Sequence, residues 1–362
     1  MNDARSLNDT ANGTANGTAV AAVAARLRDL RRRQRMRSLL VTLTLGILAA
    51  TLFVADLAFG HEIYPIGDIL KVLGGEFVPG LSFTIGELRL PRVVVGLLAG
   101  FAFGVAGVSF QQMLRNTMAS PDIIGITAGA NLTAVFAIIV LGWSGPSLSA
   151  AAVVGGILTA LLTVRLAWRG TFSTGRLILM GIGVAAALNA ATSWILVRGD
   201  QWNIQQASRW LTGSLASSDW SDVPALVAVT VLAAVPLIAL ARQVDVMRFG
   251  DPMARGLGVR VESVQMTVIV LSVLLLSTAT ASSGPISFVS FLSGPLAMWL
   301  NGPHRPAIVQ SGLVGSCIVL AADIVAQHIP PTQLPVGVVT SIIAGPILIL
   351  LIIRLSRKQV LA

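Results

Sequence analysis

Arg89 and Arg92, three apart in Leu88-Arg89-Leu90-Pro91-Arg92, put two guanidinium forks at one locus just ahead of an apolar run whose helical start is set by proline. The pair suits docking of an acidic protein surface; the plainer reading is two interfacial anchors at the end of a span. A second polar stretch, Gln111 to Asp122, carries Arg115, Asn116, Thr117 and Met118 through a proline-containing turn between two glycine-rich apolar runs. Polar groups so placed collect near a protein axis and not in lipid, which makes the turn a candidate inner gate. The third stretch, Phe249-Gly250-Asp251-Pro252-Met253-Ala254-Arg255-Gly256-Leu257-Gly258-Val259, has short helical turns broken by glycine and proline, with Met and Leu among charges. Either it is a surface loop or it is a knob shaped for a groove on a soluble partner.

Hydrolytic and redox chemistry find no such support. Lys71 and Lys358 are the only lysines, and neither stands in a glycine-rich phosphate cradle, so the chain is not its own ATPase. His61, His304 and His328 fall on different connections, which argues against a histidine metal site or a catalytic triad. Cys317 is the single cysteine, so no intrachain disulfide or thiol cluster forms. Counting Asp56 with the outer segments leaves Asp323 as the only carboxylate inside the apolar runs, where an ionised group costs roughly 2.5–3.5 kcal/mol. One such group suits a hydrogen-bonded structural role near the outer end of its helix better than proton-coupled transport.

The elements that must position these groups are written in the composition. Of 362 residues 54% are hydrophobic and only 11% charged, with mean hydropathy +0.81, so the solvent is lipid. Ten apolar runs approach the ~20 residues that cross a bilayer, at 39–60, 93–114, 123–141, 148–168, 177–197, 223–241, 264–283, 285–300, 307–327 and 334–354; the eighth is short and turns from the seventh at Gly284-Pro285. The net charge of +9 reflects topology and not nucleic acid. If the N-terminus is cytoplasmic, all of the 25 basic residues but Lys71, Arg89, Arg92, Arg198 and Arg209 lie inside, and both termini face the cytoplasm. Residues 1–37, with two Asn-Gly-Thr triplets and an arginine-rich stretch from Arg26, are expected as a flexible basic tail without the early apolar stretch of a secretory signal. That stretch could rest on anionic lipid. Residues 38–356 form the spanning domain, 242–263 its longest inner connection, and 357–362 a short tail. The expected fold is all-α and polytopic. Gly96, Gly100, Gly104 and Gly107 mark closely packed helices.

Gly284-Pro285-Ile286-Ser287-Phe288, Ser293-Gly294-Pro295, Ala322-Asp323-Ile324-Val325-Ala326 and Leu334-Pro335-Val336-Gly337-Val338-Val339-Thr340 complete a series that, with the three stretches above, resembles the FecCD-type permease subunits of type II ABC importers for iron-siderophores and cobalamin. The resemblance runs from about Leu39 to Arg354, and the Ser-Gly-Pro sequence looks more like the enterobactin branch. It implies ferric-siderophore import across a bacterial cytoplasmic membrane, with cobalamin or haem as alternative cargoes; an ion-coupled secondary transporter is the competing class. It implies a second permease subunit, related or identical, two cytosolic ATPase subunits that carry ATP and magnesium, and an extracytoplasmic siderophore-binding protein. No cofactor or metal is expected on this chain, and no nucleic acid partner. Arg89 and Arg92 then match the external docking arginines. Phe249, Gly250, Asp251, Ala254, Arg255, Gly256, Leu257 and Gly258 match the coupling helices that enter the ATPase groove, and Asn116, Met118, Ser173 and Thr174 match the inner gate. Gln327 stands where some relatives carry a further arginine, and Thr117 where proline is usual.

Overall fold

The computed structural model describes residues 3–60, 64–168, 173–302, 307–330 and 332–360, so His61 and His304 lie outside the described residues. Fourteen α-helices follow in order: α1 (Asp3–Ala58), α2 (Ile66–Leu73), α3 (Leu81–Phe83), α4 (Leu90–Met113), α5 (Ile126–Ile139), α6 (Pro146–Ala167), α7 (Thr174–Arg198), α8 (Gln201–Thr212), α9 (Asp222–Met247), α10 (Asp251–Gly256), α11 (Val261–Ser283), α12 (Val289–Asn301), α13 (Ile308–His328) and α14 (Val336–Val360). A π-helical turn, Thr84–Arg89, leads into α4, and a 3-10 turn, Pro121–Ile124, leads into α5. The chain divides into a unit of residues 1–44 and one of 45–362. In the first, α1 is helical from Asp3 onward and Asp29 pairs with Arg33 at 3.0 Å.

Each of the ten apolar runs carries a helix, but the helices are unequal. Among the described residues seven are long and apolar enough to cross a membrane, and α5, Ile126–Ile139, is shorter. The eighth run gives only the 13 residues of α12, about 20 Å of helix against a ~30 Å hydrocarbon core. Its approach, from Gly284 to Phe288, is not helical. Irregular backbone survives at such depth where protein buries it; Gly284, Pro285 and Ile286 are buried, while Ser287 and Phe288, next to α12, are exposed. The second span begins well before the apolar run suggested, at Leu81.

At the hub stands α4, packed against α9, α11, α12 and α13. The glycine spacing explains how so many helices reach it. A Cβ on Gly100 would strike the backbone of Gly315, one on Gly104 the Ser311 carbonyl, and one on Gly107 the Ser290 carbonyl. The serines of α13 return the contact: Ser311 Oγ donates to the Gly104 carbonyl at 2.9 Å and Ser316 Oγ to that of Leu97 at 2.7 Å. These glycines are packing positions, as small residues between membrane helices usually are.

One polar contact repairs a defect in α12. Pro295 has no N–H, so the carbonyl four residues earlier, Phe291, loses its helical donor. Gln111 of α4 supplies one, Nε2 donating to that carbonyl at 2.9 Å.

Candidate docking, coupling and gating sites

At the start of α4 the two arginines of the Leu-Arg-Leu-Pro-Arg stretch part company. Arg92 turns inward: Nε donates to Asp323 Oδ2 at 2.8 Å and Nη2 to Oδ1 at 2.6 Å, a two-pronged pair in which the Asp323 side chain is fully buried and that of Arg92 only 14% exposed. Arg89, on the last residue of the π-helical turn, reaches the C-terminal end of α1. It donates to the carbonyls of Leu57 at 2.8 Å and Phe59 at 3.3 Å, with its guanidinium 4.9 Å from the Tyr64 ring centroid. It therefore caps carbonyls that a helix end leaves without partners. Both forks are engaged within the chain: Arg89 is half-buried at the surface, and Arg92 is committed to Asp323.

The expectation that Asp323 is the sole carboxylate within the spans is corrected here. Asp56 lies inside α1 and is 2% exposed. Gln327 joins the two acids, its Nε2 donating to Asp56 Oδ1 and to Asp323 Oδ2, each at 3.0 Å. The amide stands where an arginine would bring a second cation to the two carboxylates. Asp56 Oδ2 is buried without a hydrogen-bond partner. His328 takes no part in this link; its Nδ1 lies 2.8 Å from the Ile324 carbonyl.

At the other end of α4 sits the Phe249–Val259 stretch. Gly250, at φ 102°, makes a turn into α10 that a side chain would resist, and Gly258, at φ 86°, turns the chain out again. Phe249, Met253 and Leu257, four residues apart, are 75%, 59% and 64% exposed, while Ala254 is buried beneath them. The result is an apolar ridge on a short helix pinned from below. Asp251 pairs with Arg115, just past the end of α4, and Arg255 pairs with Glu262 at 2.6 Å. Since Arg92 opens α4 and Arg115 follows it, the arginine cluster and the knob are separated by the length of that helix, about 35 Å.

The candidate gate residues divide between two elements. Asn116 Oδ1 accepts from Met118 N at 2.9 Å, a local turn that holds the start of the connection. Beyond it Ser120 Oγ donates to Asp122 Oδ2 at 3.1 Å, and Thr127 Oγ1 donates to Asp122 Oδ1. Burial raises the Asp122 carboxyl above its ordinary range, against these two hydrogen bonds. Ser173 and Thr174 begin α7, which packs on the 3-10 turn where a Cβ on Gly181 would meet the Ile123 carbonyl. No hydrogen bond joins Asn116 or Met118 to Ser173 or Thr174 among the described residues. Among those residues, no group of His, Cys, Asp or Glu is placed to hold a metal ion.

Comparison with known proteins places this arrangement. Residues 47–354 match the FecCD transport family. The chain is 36% identical over 325 residues to the ferric enterobactin transport system permease protein FepG of Escherichia coli K12, covering 89% of this chain and 98% of that protein. It is 36% identical over 312 residues to the achromobactin transport system permease protein CbrC of Dickeya dadantii, covering 85% and 89%. A solved structure described as an inward-facing conformation of a putative metal-chelate type ABC transporter superposes with a TM-score of 0.79 at 25% identity, over 87% of this chain and 99% of that one.

Proposed function

The chain belongs to the FecCD transport family and is a multi-pass inner-membrane permease subunit of an ABC importer, and from that premise we propose that its cargo is a ferric siderophore chelate. The proposal extends to the working parts: an extracytoplasmic binding protein delivers the chelate at the Arg89 end, and ATPase subunits engage the ridge of Phe249, Met253 and Leu257 in the cytosol. The observation that carries it is the placement of these two loci at opposite ends of α4. A spanning helix with Arg89 at the surface of one mouth and an exposed apolar ridge at the other presents different partners on the two sides of the membrane. Hydrolysis belongs to those partners, because this sequence has no phosphate cradle. Its own task is to supply path, docking surfaces and gate. For nucleotide-driven movement to act, partners must bind the two states of the permease unequally.

The placement of Arg89 outside carries both termini to the cytosol, and the second permease subunit is either a copy or a related chain. Two relatives are named for transport of ferric enterobactin and of achromobactin, which supports a ferric siderophore chelate as cargo. The test pairs sidedness with uptake. Single cysteines at Arg89 and Gly256, probed with an impermeant maleimide in spheroplasts, should label from outside only at position 89. Cells lacking the chain and complemented with it should accumulate labelled iron from a ferric catecholate chelate only when the chain is present. Labelling of both positions from one side overturns the topology; dependence of haem or cobalamin uptake on the chain, without that of the ferric chelate, overturns the cargo.

A further inference from the structure

Beside the helices that hold the docking and coupling loci, α5, α6 and α7 enclose a groove of about 860 Å3. Leu132, Phe136, Trp143, Val154, Ala191 and Trp194 form its walls. The hydroxyls on its lining are turned away: Thr133 Oγ1 donates to the Gly129 carbonyl at 3.0 Å and Ser147 Oγ to that of Ser144 at 2.9 Å. The lining is almost wholly apolar and its hydroxyls are already donating to the backbone, so the groove is an environment for hydrocarbon. It lies at the Arg92 end, because α5 ends, α6 begins and α7 ends on that side.

At the mouth of the groove stands a cation. Arg198, the last residue of α7, has its guanidinium carbon 4.0 Å from the centroid of the Trp194 ring. The side chain is exposed, and no carboxylate pairs with it among the described residues. From Ala191 to Arg198 is about 10 Å along the helix, the reach of the upper part of an acyl chain below its headgroup. The apolar surface continues down α6 through exposed Leu158 and Leu162, the face of a span that lies against hydrocarbon. Trp143 and Trp194 lie toward the Arg198 end of the groove, and indoles prefer the boundary between lipid tails and headgroups.

We propose that this groove is a binding site for one anionic phospholipid, with an acyl chain between α5, α6 and α7 and the phosphate on Arg198. The charge selects this occupant over a neighbouring permease helix, since a hydrocarbon slot ending in an unpaired cation matches a tail ending in a phosphate. The inference rests on the membrane-spanning reading alone and does not depend on the cargo.

The test uses the full chain reconstituted in nanodiscs of phosphatidylcholine containing phosphatidylglycerol, transferred to detergent and weighed by native mass spectrometry. The wild type should retain phosphatidylglycerol in preference to phosphatidylcholine. Ala191→Phe, which fills the slot, should lose both. Arg198→Gln, a surface change that leaves packing intact, should keep a lipid while its preference for phosphatidylglycerol falls about fivefold. An unchanged preference in Arg198→Gln, or retention by folded Ala191→Phe equal to the wild type, overturns the proposal. So does disulfide crosslinking of Val154→Cys to another permease chain in native membranes, which would put protein where lipid is assigned.

Discussion

Arg92→Leu is the substitution whose consequences the geometry specifies most fully. It would strand two buried carboxylates, Asp323 and Asp56, with only the Gln327 amide between them. Breaking a buried pair by removing one partner costs ~3–5 kcal/mol, whereas replacing both partners by apolar residues of similar volume is often neutral. We therefore expect Arg92→Leu to destabilise by ~3–5 kcal/mol and Asp323→Leu, which leaves the cation near Asp56, by less. The double substitution should recover most of the loss, and adding Asp56→Asn should recover the rest. The assay is a double-mutant cycle on the full chain, unfolded reversibly by SDS in mixed micelles, with uptake measured for each variant. Uptake lost in the single variant and restored in the double one means that Arg92 acts through Asp323. Stability of Arg92→Leu equal to the wild type, or a coupling below ~1 kcal/mol, would refute the reasoning. Full stability with uptake lost in both variants would return Arg92 to partner docking.

Gln111→Leu removes the donor to the Phe291 carbonyl, so it should cost ~1–3 kcal/mol in the same unfolding assay, and Pro295→Ala, which restores the helical N–H, should offset most of that loss. Replacing Phe249, Met253 and Leu257 together by Ala should weaken co-purification with the ATPase at least tenfold while leaving unfolding unchanged, because all three side chains are exposed; unaltered binding would show that the ridge is not the contact. Gly104→Val should prevent α13 from reaching α4 and abolish accumulation of folded chain, measured by protease resistance in membranes, whereas Gly256→Ala, which meets open space, should be tolerated. Asp122, with its carboxyl raised by burial, favours the folded state most below the ordinary carboxylate range and loses that contribution as pH rises through the raised value; Asp122→Asn should flatten this part of the pH–stability profile.

What was legible in the sequence was what is local. The turns at Gly250 and Gly258, the apolar positions between them, and the break at Gly284-Pro285 all follow from residue types within a few positions of one another. The ion pair of Arg92 was not legible, because its partner lies 231 residues away and no periodicity connects them. Asp56 reads from sequence as an outer-segment charge, because it lies near the end of an apolar run where a charge ordinarily faces water; only the packing of α1 puts it inside. Gln111 left a usable signal: a proline within an apolar run obliges some other element to serve the carbonyl four residues back, and the polar residues at the end of α4 were the available donors. The lengths of α5 and α12 were hardest to see, since hydropathy records how apolar a run is and not where its helix begins.

The link between Asp251 and Arg115 has a mechanical corollary. Each side chain is 37% exposed, and pairs so open to water contribute only ~0–1 kcal/mol, comparable with thermal energy and weakened by salt. Such a joint slips and re-engages readily, more clutch than weld. If the proposed ATPase contact is made at the ridge, thrust would travel through the buried seat of Ala254 and the backbone turns on either side, while the charges would keep the parts in register between strokes.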